Sequence, residues 1–225
     1  MADKSSDPLL SEVPHEQESE SGFEELLRYT LAGYIGGLVA GVILDTLGFQ
    51  RAALGQWLVR TLGGEAESIF EGFFALRQRI LRKGASIAES YAWGKFLGMI
   101  APWIIDAISR LLGLDVYSVE GFYIPYFYAM GDQIGANLAG IFHFRQETGY
   151  WTTAFRRYFR HPVMLASLGI ILIVPVGLLV ARLLGFSPTT QVATAIEIIA
   201  SNLCWIPPAV GWLTEKRHVT RSIKE

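Results

Sequence analysis

Apolar residues along this chain come in long blocks. Five blocks are long enough to cross a bilayer: residues 27–47, 91–112, 122–144, 163–184 and 191–213. A hydrocarbon core about 30 Å thick is crossed by about 20 apolar residues in a helix. Backbone groups in lipid must bond within their own segment, so each block is expected to be helical. The alternating ten-residue strands of an outer-membrane barrel do not occur. The pattern predicts an all-α polytopic bundle with about five transmembrane helices.

Local signals mark the block ends. Ser86-Ile87-Ala88-Glu89 reads as a capping box before the second span. His161-Pro162 and Ser187-Pro188 place proline at the first helical position of the fourth and fifth spans. Pro175 is expected to kink the fourth span. Pro207-Pro208 is expected to bend the fifth or end it early.

The connection 48–85 carries a different period. Ala66, Ile69, Phe70, Phe73, Phe74, Ile80 and Leu81 recur at helical spacing. Acids (Glu65, Glu67, Glu71) open this segment, and bases (Arg77, Arg79, Arg82, Lys83) close it, as the helix dipole favours. A shorter amphipathic helix is expected over 50–62, through Leu54, Trp57, Leu58 and Leu62. These one or two helices are expected to lie flat on the membrane surface or to pack on the bundle or a partner.

Composition sharpens the class. Hydrophobic residues make up 51% of the 225 residues and charged residues 18%, against about 25% charge in soluble domains. The net charge of −2 gives no case for nucleic-acid binding. Cys204, the single cysteine, excludes an internal disulfide and a cysteine metal cluster.

The small net charge hides an asymmetry. Residues 1–25 hold eight acids against Lys4, a net −7, and the rest of the chain holds +5. Segment 1–22 is too polar to bury a core and is expected to be a disordered acidic tail. Residues 23–215 are expected to form the bundle and 216–225 a basic C-terminal tail. Basic residues gather in 48–87, in 144–161 and at the C-terminus, which five spans place on one side. By the positive-inside rule the acidic N-terminus is then outside and the basic C-terminus cytoplasmic. Tyr117, Phe122, Tyr123, Tyr126 and Tyr128 are expected to form an outer aromatic belt.

Small residues recur within the spans. Gly33, Gly37 and Gly41 repeat every four residues in the first, and Gly131 and Gly135 share that spacing in the third. Such stripes let helices approach closely in lipid, within one chain or between two copies.

Polar residues inside the spans are the functional lead. They are Lys95 and Asp106 in the second span, Asp132 and Asn137 in the third, and Glu197 and Asn202 in the fifth. A charge at the bilayer centre costs about 2.5–3.5 kcal/mol on insertion scales, so these groups are expected to face the bundle interior and pair. Asp132 and His143, 11 residues apart, share a helix face. Lys95 is also within snorkelling reach of the inner interface. Arg77, Arg79, Arg82, Lys83, Arg156, Arg157, Arg160 and His161 are placed to meet anionic headgroups or a partner.

No P-loop, dinucleotide fingerprint, HExxH or GxSxG occurs. The sequence implies no cofactor and no metal. The bilayer is the expected surrounding, with a second copy or another membrane protein as partner. Three functions fit. The first is a non-enzymatic channel, transporter or accessory subunit with an intramembrane acidic site. The second is a membrane scaffold binding through the glycine stripe and the 65–83 helix. The third is a lipid-acting enzyme using His143 and His161.

Overall fold

In the computed structural model, residues 22–48, 66–81, 86–112, 123–186 and 190–222 are described. Among them the protein is all-α, without strands. The helices are α1 (Gly22–Thr46), α2 (Ala66–Ile80), α3 (Ile87–Leu111), α4 (Tyr123–Thr148), α5 (Trp151–Tyr158), α6 (Pro162–Leu183), α7 (Thr190–Ser201) and α8 (Ile206–Ser222). The acidic tail, the 50–62 helix, and Arg82 and Lys83 fall outside the described residues. So do the side chains of the aromatic belt.

Capping chemistry sets several helix ends. The backbone N–H of Glu89 donates to Ser86 Oγ at 3.1 Å, which caps α3. Pro162 opens α6 behind an extended His161. Gly149 and Gly185 take φ of +74° and +86° after α4 and α6, a backbone state that favours glycine. The α6 helix runs on through Pro175.

The helices close a ring. In order around it, α1 packs on α2, α2 on α3, α3 on α4, α4 on α6, α6 on α8, and α8 back on α1. The short α5 lies against α4, and α7 against α6. Neighbours around the ring run antiparallel. Along α1 and α2, Gly33 meets Glu67, Thr30 meets Glu71, and Glu25 meets Gln78. Along α3 and α4, Gly98 meets Gly131 and Ser90 meets His143. Along α1 and α8, Phe23 meets Gly211 and its N–H donates to Glu215 Oε2 at 3.3 Å.

Two expectations change. The fifth span is not one helix: α7 ends at Ser201, turns occupy 202–205, and α8 starts at Ile206. Pro207 and Pro208 supply no N–H to a continuing ladder, so they fit only in the first turn of a new helix. Five spans with an external N-terminus also place residues 23 and 215 at opposite ends, yet they meet. The start of α1 lies beside α8 and beside Ala88 at the start of α3, so α1 and α3 run parallel.

Among the described residues, two helices, α1 and α6, are long and apolar enough to cross a membrane by length and composition. An apolar core around Phe23, Leu26, Phe74, Tyr91, Val163 and Met164 is accompanied by exposed apolar and buried polar residues. Ile35, Val39, Val42, Leu172, Val176 and Leu179 are exposed, while Lys95, Glu71, Gln133 and Ser167 are buried. Soluble folds almost never bury Lys or Glu and avoid large exposed apolar surfaces. In α2, Phe70, Phe73, Leu76 and Ile80 point outward, and Glu67, Ser68, Glu71 and Gln78 are buried together with Phe74 and Ala75.

Candidate functional site

Close backbone approach builds the site. A Cβ on Gly33 would lie 2.6 Å from Glu67 Cα, so only glycine lets the first turn of α2 reach α1. A Cβ on Gly98 would run into the carbonyl oxygen of Gly131, and one on Gly135 into that of Gly94. The α3–α4 seam therefore closes on glycine from both sides. These contacts bring Glu67 and Glu71 of α2, Lys95 of α3 and Asp132 of α4 to one point inside the ring.

Lys95 has no exposed surface. Its Nζ lies 3.2 Å from Glu71 Oε1, 3.6 Å from Asp132 Oδ2 and 3.7 Å from Glu67 Oε1. Thr30 Oγ1 of α1 donates to Glu71 Oε1 at 2.6 Å and to the Leu26 carbonyl at 3.0 Å; one hydroxyl hydrogen alternates between these acceptors. Ser68 Oγ donates to Asp132 Oδ2 at 3.3 Å. Glu71 Oε2 is buried without a hydrogen-bond partner. Cys204, in the turn between α7 and α8, lies buried against Glu67. One ammonium faces three carboxyls. Full ionisation would leave two uncompensated negative charges among buried side chains, a state that desolvation strongly opposes.

A hydrogen-bonded chain leads from Asp132 toward α5. Gln133 Nε2 donates to Asp132 Oδ2 at 3.3 Å. Gln133 Oε1 accepts from Tyr91 at 3.2 Å and from Ser167 at 2.7 Å. Asn137 Nδ2 donates to Ser167 Oγ at 2.7 Å, and Tyr158 Oη donates to Asn137 Oδ1 at 2.5 Å. Two amides sit in this chain, and amides hold geometry rather than pass protons. The chain positions Asp132.

The cluster lies beside the break between α7 and α8, whose Cys204 is buried against Glu67. Gly33, which meets Glu67, is about 16 Å along α1 at 1.5 Å per residue. Tyr34, the next residue, donates to Asn202 Oδ1 at 2.5 Å, at the break between α7 and α8.

A second feature occupies the end of the ring where α1 and α6 start. A cavity of about 460 Å³ is lined by Phe23, Phe144, Arg157, Arg160, His161 and Glu215, among others. His161 Nδ1 is buried there without a partner. Burial lowers the His161 pKa below the ordinary imidazole value; His143 adds to the shift and Glu147 opposes it. His143 belongs to this end, between Ser90 Oγ at 3.0 Å and Glu147 Oε1 at 3.2 Å.

The expected site residues divide as follows. Lys95 and Asp132 enter the cluster, with Lys95 fully buried instead of snorkelling. Asn137 is in the chain behind Asp132, and Asn202 is at the helix break. The side chains of Asp106 and Glu197 lie outside the described residues. Gly33, Gly37 and Gly131 are buried, while Gly41 and Gly135 are partly so. Arg77, Arg79, Arg156, Arg157 and Arg160 are exposed; Arg77 pairs with Glu25 and Arg157 with Glu147. Glu67, Glu71, Thr30, Ser68, Tyr91, Ser167 and Tyr158 were not among the expected site residues. The α2 acids had a legible signal, since Glu67 and Glu71 are four apart on the face opposite Phe73. Compared with known proteins, the chain matches no family model, no curated protein and no solved structure.

Proposed function

We propose that this protein is a polytopic membrane protein of the channel or transporter class, in which the Lys95 cluster is the site that a small cation or proton passes through. The observation that carries the reading is an ion cluster with no exposed Lys95 surface, seated beside the break between α7 and α8. Buried ion pairs contribute little to stability relative to apolar packing. Placement of buried charges beside a broken helix is the arrangement that transporters use to bind ions.

The outward apolar faces of α1, α2 and α6 support a bilayer surrounding, and the inward polar faces support a pathway within the ring. In this reading the chain leaves the basic end through α1 and returns to it through α2. It leaves again through α3, returns through α4, leaves through α6 and returns through α7 and α8. The basic end, with Arg77, Arg157, Arg160 and Lys216, is cytoplasmic by the positive-inside rule. There Arg160 and His161 meet anionic headgroups. The scaffold reading is less favoured, because Gly33 and Gly37 are already buried within the chain.

Purified protein in liposomes, with a pH dye or a cation dye inside, tests the reading. Flux is expected under an imposed gradient, with at least a tenfold loss in Asp132→Asn. Absence of flux, or flux unchanged by Asp132→Asn, overturns it.

A further inference from the structure

We infer that the species exchanged at this site is the proton, and that Lys95 is a built-in counter-cation which keeps metal ions out of the carboxylate cluster. The inference deepens the transport reading and rests on it. Glu71 and Asp132 direct oxygens to a point 3.2–3.6 Å away that Lys95 Nζ already fills. A metal ion binding carboxylates needs ligands at about 2.0–2.6 Å. Among the described residues, no three His, Cys, Asp or Glu side chains are grouped to hold one. An ammonium centred among three carboxyls holds them apart and satisfies them electrostatically.

Glu71 Oε2 supplies the second, independent observation. It is buried and unpartnered in a residue with no exposed surface. A carboxylate oxygen left so is costly when ionised and far less so when it carries a proton. The groups facing Lys95 are Glu67 and Glu71 from α2, Asp132 from α4, Tyr91 from its own helix, and Cys204 from the α7–α8 turn. Thr30 of α1 faces Glu71. With Lys95 charged, the interior is electroneutral when two of the three carboxyls are protonated. Release of one proton leaves a charge of −1, which draws the ammonium toward the newly ionised carboxylate. Uptake reverses the step, and no other ion is needed for balance.

The test uses detergent-purified full chain without any gradient, so that missing flux and missing proton linkage are separate results. Thermal unfolding is followed from about pH 7 to about pH 9, above the ordinary His range. Choline, sodium and calcium chloride are compared at equal ionic strength. The folded cluster retains protons that unfolded carboxyls have already lost, so its midpoint is expected to fall as pH rises. Exchanging choline for sodium or calcium is expected to leave the midpoint unchanged. Glu71→Gln, a neutral analogue of the protonated acid, is expected to flatten the pH slope. Lys95→Met is expected to acquire a calcium-dependent rise in midpoint. A wild-type midpoint that responds to sodium or calcium overturns the inference. So does a Glu71→Gln slope equal to wild type, which decides the matter even if Lys95→Met does not fold. A folded Lys95→Met blind to calcium overturns it as well.

Discussion

His161 shows how one residue can tie stability to pH. It stands at the start of α6 between the rings of Phe23 and Phe144, with Nδ1 buried and unpartnered. Burial favours the neutral imidazole, so its folded pKa lies below its unfolded value of about 6.5. The unfolded chain then binds more protons, and the contribution of His161 is present above about pH 6.5 and lost as pH falls through the folded value. His161→Phe keeps an aromatic ring against Phe23 and Phe144 without the charge. Relative to wild type, its unfolding midpoint is expected to rise progressively between about pH 6.5 and about pH 5. A constant difference across that range would mean that His161 titrates alike in both states.

At the scale of the helix, glycine decides which faces meet. Gly33 and Gly36 are three residues apart in α1, yet their surroundings differ. A Cβ at Gly33 would lie 2.6 Å from the α2 backbone, and one at Gly36 would meet nothing within 4 Å. Gly33→Ala must push α2 away from Lys95 and is expected to cost about 1–3 kcal/mol, as overpacking does. Gly36→Ala is expected to be neutral or to stabilise by up to about 1 kcal/mol through helix propensity. Unfolding midpoints of the two variants in one detergent make the comparison, and equal midpoints would contradict the packing of α2 on α1. The stripe was legible as a close-packing signal from its four-residue period. What it packs against was not, because Gly33 meets the α2 backbone at Glu67, and α2 buries acids and Phe74 on one face while exposing Phe70 and Phe73 on another. In the structure Phe70, Phe73 and Ile80 turn outward while Glu67 and Glu71 turn in beside Phe74, and hydropathy alone does not distinguish these orientations.

The whole molecule adds what neither residues nor helices fix singly, namely which ends lie together. Block lengths made the long helices legible, since about 20 apolar residues in lipid have few alternatives to a helix. The direction of the first helix was not legible, because counting basic residues depends on knowing every crossing. With α2 taken as a surface helix the count is odd, and it sends the start of α1 to the side opposite α8. The hydrogen bond from Phe23 to Glu215 and the contact of Gly22 with Ala88 place them at one end. Asp45 and Arg182 lie at the helix ends remote from that contact. This arrangement is testable in native membranes. In a Cys204→Ser background, Glu24→Cys and Lys216→Cys are expected to react with a membrane-impermeant maleimide from the same side. Arg182→Cys is expected to react from the other. Labelling of Glu24→Cys and Lys216→Cys from opposite sides would exclude a membrane-embedded ring closed by α1 and α8, and the polar interior that the ring encloses would then need another explanation.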